Sequence, residues 1–390
     1  MKYVDLGNLN GSSLDSKKKK KKKIFLIASG ILAVAIIGIF SYAFYWPLSN
    51  LIGEFLKNPG IALSFFKDPS EELKSTDGKT NFLILGIDKR SNVPYTYSGP
   101  SGKQERNGFL SDTIILASVD LTTKKVSFIS IPRDTWVSIP GWGSFPASEG
   151  KINSAYSLGD TYSHPGGGLN LTKKIVSKHL GVTIHYALRI DFEGFVKSVD
   201  TLGGLDINVE KTFDDYRYPI PGKETANCSG GNFNCRYEYV HFEKGKNRMN
   251  GETALKYARS RSGTNGEGSD FARAVRQQKV IQAFVKKATS LESLLNPVKV
   301  NSLFNNLGET IETDFDFAAV GALLKLAKNL QISSDQTLVL DPSADLMVTG
   351  DSNLYGGAYV IIPKNGWDEV RTKIKEFLAK TSPKEEEEEK

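Results

Sequence analysis

Cysteine is nearly absent from this 390-residue chain: Cys228 and Cys235 are the only two. That excludes a disulfide-rich scaffold and a four-cysteine zinc site. Four histidines (His164, His179, His185 and His241) leave little material for a histidine-dominated metal centre. Common catalytic signatures are missing too. Gly166-Gly167-Gly168 lacks the Gly-Lys-Ser/Thr that completes a phosphate loop, and there is neither a Gly-x-Ser-x-Gly elbow nor a His-Glu-x-x-His pair. The net charge of +6 is no sign of a basic protein either. Residues 1–23 carry +6 and residues 384–390 carry −3, which leaves the body at +3. A nucleic-acid partner is therefore not expected.

Long apolar runs are scarce, with one exception. Seven consecutive lysines, Lys17–Lys23, lead into Ile24–Trp46, which holds no charge. As a helix at about 1.5 Å per residue that run reaches about 34 Å, enough for a hydrocarbon core of about 30 Å. Tyr42, Tyr45 and Trp46 sit at its far end, where amphipathic aromatics favour the lipid boundary. The positive-inside rule puts residues 1–23 in the cytoplasm and everything after 46 outside, with the lysines drawn to anionic lipid. The run is too long for a cleaved signal peptide and no small-residue cleavage site follows it. Localisation is thus read as single-pass in the cell membrane, N-terminus cytoplasmic, with the bulk of the chain extracytoplasmic.

Residues 47–79, interrupted by Pro47, Pro59 and Pro69, read as a stalk, and residues 381–390, with Glu385–Glu389, as a solvated acidic tail. Between them, residues 80–380 alternate strand and helix patterns without an internal linker. Strands are expected at Phe82–Ile87, Thr113–Val119, Val126–Ile131, Leu205–Val209, Tyr237–Phe242, Gln336–Leu340 and Ala358–Ile362. Helical spacing marks Leu169–Leu180, Phe192–Leu202, Gly251–Tyr257, Phe271–Thr289, Phe315–Leu330 and Trp367–Leu378. The expected fold is α/β (α–β–α): a single mixed central sheet flanked by helices, preceded by one transmembrane helix.

Several charged residues stand where chemistry is done. Asp88 follows the first strong strand, in Ile87-Asp88-Lys89-Arg90, and Asp112 precedes the second, in Ser111-Asp112-Thr113. Two strand-end carboxylates suit one hard cation, since Mg²⁺ takes one or two carboxylates plus phosphate oxygens and water; either is equally read as a turn acid. Ser130-Ile131-Pro132-Arg133-Asp134 puts an arginine beside an acid just past a strand. Arg259 and Arg261 are two apart, which in extended chain places both on one face. Arg273, Arg276 and Gln277 fall at i, i+3 and i+4 of the next helix, with Asp270 the obvious acid between the two groups. Guanidinium forks match phosphate oxygens bidentately, so a multivalent anion is one reading; a basic surface helix is the other. Cys228 and Cys235, close in sequence and read as extracytoplasmic, form either a small disulfide or a free thiol pair.

In order along the chain, these motifs resemble the LytR–CpsA–Psr family of membrane-anchored cell-wall enzymes. The resemblance spans roughly Asn81–Leu378. It rests on Phe82-Leu83-Ile84-Leu85-Gly86-Ile87-Asp88-Lys89-Arg90, Ser111-Asp112-Thr113, Ile131-Pro132-Arg133-Asp134, Lys151-Ile152-Asn153-Ser154-Ala155-Tyr156, Val199-Asp200-Thr201-Leu202-Gly203-Gly204-Leu205-Asp206, Tyr257-Ala258-Arg259-Ser260-Arg261 and Asp270-Phe271-Ala272-Arg273-Ala274-Val275-Arg276-Gln277-Gln278. It implies a Mg²⁺-assisted phosphotransferase that moves a glycopolymer from a polyprenyl-pyrophosphate carrier to peptidoglycan. By matching motif, Asp88 and Asp112 are metal-side carboxylates, and Asp88, Arg133 and Arg261 are central to catalysis. Arg133, Arg259, Arg261, Arg273 and Gln277 grip the pyrophosphate, Arg90 and Asp270 line the site, and Lys151 joins the same pocket; Arg276 is counted with them from its helix spacing. The family's prenyl tunnel makes Phe192, Phe195, Val199 and Leu202 either wall or core residues. Leu110 stands where the family commonly has arginine before Ser-Asp-Thr, with Arg106 a substitute four residues earlier, and Ala272 where glycine is common. The same site fits a polyprenyl-pyrophosphate hydrolase, or an inert scaffold that binds the lipid carrier.

Overall fold

The structure, a computed structural model, describes residues 69–87, 96–98, 104–106, 109–220, 222–223, 226–228, 233–288, 290, 310–315, 319, 322–323, 325–326, 329–342 and 345–380. The expected span 24–46, the acidic tail, Asp88 and Arg90 lie outside the described residues. Among the described residues no helix is long and apolar enough to cross a membrane.

Phe82-Leu83-Ile84-Leu85 is a continuous apolar run, as a strand buried on both faces requires. It forms the middle of β1 (Lys79–Ile87). After two three-residue strands, β2 (Thr96–Ser98) and β3 (Gln104–Arg106), the chain enters β4 (Ser111–Asp120) and β5 (Lys125–Ser130). The turn between β4 and β5 is held by Asp120, whose Oδ1 accepts from the Thr122 and Thr123 amides at 3.0 and 2.8 Å. A hairpin follows, β6 (Trp136–Ile139) with β7 (Ser148–Lys151), then helices α2 (Ala155–Thr161) and α3 (Gly167–Leu180); α1 is the short turn Pro69–Glu72. Next come β8 (Tyr186–Asp191), α4 (Phe192–Thr201), β9 (Leu205–Val209), β10 (Phe213–Pro219), β11 (Tyr237–Phe242) and β12 (Gly245–Met249). Helices α5 (Gly251–Arg259) and α6 (Asp270–Ala288), strands β13 (Ile311–Thr313), β14 (Gln331–Val339), β15 (Met347–Thr349) and β16 (Ile361–Pro363), and helix α7 (Trp367–Ala379) complete the order.

Six strands make the central sheet in the order β13-β8-β1-β4-β5-β14. Pairings β1–β4, β4–β5 and β13–β8 are antiparallel, while β1–β8 and β14–β5 are parallel, so the sheet is mixed. One face packs Leu83, Leu85, Ile114 and Ile129 against Leu171, Ile175 and Val176 of α3 and Val370 and Ile374 of α7. The other packs Phe82, Ile115, Ala117 and Phe128 against Ala319, Ala322 and Leu326, with Ile281 of α6 beside them. A third cluster joins α4, α5, α6 and β9–β12 through Val199, Leu205, Phe213, Tyr257 and Val280.

The expected α–β–α sandwich is thus present, and most expected elements shift only at their ends. Residues 319, 322–323 and 325–326 are helical within the expected Phe315–Leu330. The strand expected at Ala358–Ile362 is confined to Ile361–Pro363. Leu73 is buried in the second cluster and the Lys74 amide donates to Tyr186 Oη at 3.0 Å, so the last part of the expected stalk packs on the domain. Cys228 and Cys235 form a disulfide, with Cα atoms 5.6 Å apart, in the excursion between β10 and β11.

Candidate functional site

Antiparallel pairing sets Ile87, the last residue of β1, opposite Ser111, the first of β4. The two strands can close this tightly because Gly86 has no side chain: a Cβ there would stand 3.0 Å from Thr113 Cβ. Strand β5 ends at the same edge, where the Ile131 amide donates to the Ile114 carbonyl at 2.9 Å. Pro132 then ends the ladder, and the Thr135 amide closes a turn onto its carbonyl at 3.0 Å. That turn aims Arg133 back across the edge, where it donates to Asp112 Oδ1 at 2.7 Å. Lys151, at the end of β7, donates to Asp134 Oδ1 at 2.6 Å, and the Ile152 and Asn153 amides bond the Thr135 and Arg133 carbonyls.

The second half of the site comes from α5, α6 and the loop between them. Asn250 caps α5, its side chain accepting from the Thr253 amide at 2.8 Å. Gly251 lets α5 lie against α4: a Cβ would come within 2.3 Å of the Val196 carbonyl oxygen. After α5 the chain is seized by Asp215 of β10, which is 1% exposed. Its Oδ2 accepts from Ser260 Oγ at 2.7 Å and from the Arg261 and Ser262 amides at 3.2 Å each. Held this way, Arg261 reaches Asp270 at 3.3 Å, and Arg273, one turn into α6, reaches the same oxygen at 3.0 Å.

The two halves act on one another. Burial works against the charge on Arg133, but Asp112, Asp134 and, across the gap, Asp270 outweigh it and raise its pKa above the usual arginine value. Arg273 goes the other way. Burial, joined by the Arg261 and Arg133 cations against the pull of Asp270 and Asp112, pushes it down to about 10, still charged near neutrality. Among the described residues Arg133, Lys151, Arg261 and Arg273 face Asp112, Asp134 and Asp270, one more cation than anion. Arg133 Nε is buried and has no hydrogen-bond acceptor among the described residues; the Asp134 carboxylate stands at 3.5 Å. An anion with several oxygens answers both conditions.

The sequence profile of the LytR_cpsA_psr family matches residues 64–376, most of the chain and all of this site. The chain belongs to the LytR–CpsA–Psr family. Over 280 residues it is 30% identical to the polyisoprenyl-teichoic acid–peptidoglycan teichoic acid transferase TagU of Oceanobacillus iheyensis, covering 70% of this chain and 72% of that one. Over 236 residues it is 32% identical to the regulatory protein MsrR of Staphylococcus aureus, covering 60% and 57%. Among solved structures, B. subtilis TagV superposes with a TM-score of 0.51 at 25% identity, over 78% of this chain and 99% of that one.

Asp112, Arg133, Lys151, Arg261, Asp270 and Arg273 come together in this LytR–CpsA–Psr chain, from three separate stretches of sequence. Gln277 lies one turn beyond Arg273 on α6, its amide 3.5 Å from the Ala258 carbonyl. Arg259 and Arg261 do not share an extended face as expected. Arg259 is the last residue of α5, lying over the Phe192 ring at 4.1 Å and donating to Tyr218 Oη at 3.3 Å. Arg276 is a correction. It is 1% exposed, and its guanidinium donates to Tyr257 O, Glu267 O, Glu267 Oε2 and Ser260 O. It fastens the α5–α6 loop from inside and offers nothing to a ligand. Val199 and Leu202 are fully buried core residues, whereas Phe192 and Phe195 keep partial exposure. Arg106 ends β3. Asp215 is the residue that sequence reasoning missed; its one signal was the Asp214-Asp215 doublet within an aromatic strand.

Centrally placed strands would ordinarily be covered on both faces. Here Ile84 and Gly86 of β1, with their β8 partners Leu188 and Ile190, remain partly exposed. By alternation they share the α6 side of the sheet with Phe82 and Tyr186. A partly exposed apolar strip therefore runs up to the arginine cluster.

Proposed function

We propose that this protein transfers a glycopolymer from a polyprenyl-pyrophosphate carrier to peptidoglycan, from an anchor in the cell membrane. The observation that carries the reading is the meeting of Arg133, Arg261 and Arg273, which outnumber their partners Asp112 and Asp270 among the described residues, at the end of the partly exposed apolar strip. One ligand with a pyrophosphate head and a long apolar tail matches both features. The name of the TagU relative describes the same transfer for teichoic acid.

The chemistry follows from charge. A hydroxyl of the peptidoglycan glycan attacks the phosphorus that bears the glycopolymer, and the bond to the bridging oxygen breaks. Polyprenyl phosphate leaves, and the hydroxyl proton passes to a nearby carboxylate, for which the resemblance offers Asp88. Arg133, Arg261 and Arg273 hold the pyrophosphate oxygens and neutralise the charge that builds on the leaving phosphate. Asp112 and Asp270 fix the directions of those arginines.

Magnesium suits this donor set only with the substrate's help. Among the described residues no three His, Cys, Asp or Glu side chains are grouped to hold a metal. Asp112, about a third exposed, could supply one oxygen alongside Asp88 and the phosphates. Bound there, Mg²⁺ would withdraw charge from the phosphoryl oxygens. The test is to incubate the full chain in detergent with a lipid-linked glycan pyrophosphate, Mg²⁺ and peptidoglycan oligomers. A glycan–phosphate–peptidoglycan product supports transfer; glycan phosphate alone would make the protein a hydrolase, and bound lipid without turnover a scaffold.

A further inference from the structure

The rim of the cluster on the side away from the apolar strip is formed by the β6–β7 hairpin. Trp136 pairs across it with Lys151, and Ser138 with Glu149, so these four side chains share one face. The opposite face buries Val137 and Ile139 in the core. On the outward face the Trp136 ring keeps partial exposure and its Nε1–H donates to Glu149 Oε2 at 3.2 Å. Tyr355 meets the indole edge-on, with centroids 5.1 Å apart and planes at 68°. The segment that carries Tyr355 is itself tied down, since the Ile361 amide donates to the Asp134 carbonyl at 3.0 Å. Lys151 bonds Asp134, and Asp134 neighbours Arg133. The indole is thus braced, partly open and linked through Lys151 and Asp134 to the arginine cluster.

We propose that this hairpin face is a saccharide subsite for the sugar joined directly to the donor's pyrophosphate. The apolar face of the pyranose stacks on Trp136, and Glu149 accepts from its hydroxyls. Tyr355 acts as a positioning residue for the indole. The assignment rests on the transfer reading above, and the shape of the donor decides which sugar it is. Prenyl chain and sugar are attached at opposite ends of the pyrophosphate. With the chain on the α6 side of the sheet and the phosphates at Arg133, the sugar points to the side where the hairpin packs. An aromatic ring with a carboxylate at its edge matches a pyranose, which has an apolar face and a polar rim.

The test uses the full chain in detergent and two probes: a short-chain prenyl pyrophosphate, and the same molecule bearing one N-acetylhexosamine. Trp136→Ala should weaken the sugar-bearing probe about fivefold to tenfold, the scale of a lost aromatic stack, and leave the bare pyrophosphate unchanged. Trp136→Tyr should restore most of the difference, and Tyr216→Ala, on the β10–β11 ribbon, should change neither. Equal weakening of both probes, or of neither, overturns the subsite while leaving the pyrophosphate reading intact. A raised KM for peptidoglycan oligomers with unchanged donor binding also overturns it, because the sugar bound there would then be the acceptor's. If the wild type binds neither probe, the transfer reading itself fails and the subsite with it.

Discussion

Replacing Arg276 by methionine separates an arginine that holds the site together from one that holds the substrate. Methionine keeps much of the apolar stem but removes four donated hydrogen bonds, three to backbone carbonyls and one to the Glu267 carboxylate at 2.6 Å. Breaking a buried ion pair from one side costs about 3–5 kcal/mol, because the remaining charge and carbonyls lose their partner without regaining water. In a domain of this size that is a fall in Tm on the order of 10 °C, read by thermal unfolding of the full chain in detergent and checked by urea titration. Arg261→Ala is the contrasting change. Arg261 is 49% exposed and its ion pair is with the half-exposed Asp270, so stability should move by about 0.5 kcal/mol or less. Binding of a prenyl pyrophosphate should instead drop at least about tenfold, the scale of one charge-assisted contact. If Arg276→Met left Tm within about 2 °C of wild type while abolishing pyrophosphate binding, the interior placement of Arg276 would be refuted.

Two further outcomes follow from the fold. Burial alone would raise the Asp120 carboxyl, but the Thr123 amide and Lys79, at 2.9 Å, more than reverse it and hold the group at about 2. A depressed folded-state pKa stabilises the protein above about 4 and that stability is lost as pH falls towards 2; the group contributes about 2 kcal/mol. Asp120→Asn should therefore destabilise at pH 6 and flatten the acid limb of a stability-versus-pH curve; an unchanged acid limb would count against the assignment. The Cys228–Cys235 bridge closes a short loop, seven residues apart in sequence, worth about 2 kcal/mol of unfolded-state entropy. Reduction, or a double Cys→Ser change, should speed amide exchange in Tyr237–Phe242 while leaving β1 and β4 protected. Exchange that stays unchanged in that strand would show the ribbon to be independent of the bridge.

The strands legible in sequence were those whose own composition specifies them. Phe82–Ile87 and Val126–Ile131 are apolar enough to be buried whatever their neighbours. Strand β8 was not legible, because Tyr186-Ala-Leu-Arg-Ile-Asp191 mixes alanine with two charges. It is a strand because β1 and β13 bond it on both sides, and Arg189 finds Glu312 directly across the ladder. The short hairpin β6–β7 and strand β12, which pairs with the expected Leu205–Val209, were invisible for a similar reason: their side chains carry no apolar run of their own. At the site, Asp112, Arg133 and Arg273 were legible as residue types in a matching order. The grip of Asp215 on Arg261 was not, since 46 residues separate the bonded groups.

Sequence alone determined the family, the mixed α/β architecture and the supply of arginines beside strand-end acids, because motif order and apolar periodicity are properties of the chain itself. Tertiary structure decided which arginine does what. Arg276 and Gln277 are neighbours, yet on a helix they point about 100° apart. A spacing of i, i+3 and i+4 spans an arc wide enough to cross from interior to surface. Packing against Phe213, Tyr257 and Glu267 drew Arg276 into the core, while Arg273 was left at the boundary where burial and charge meet.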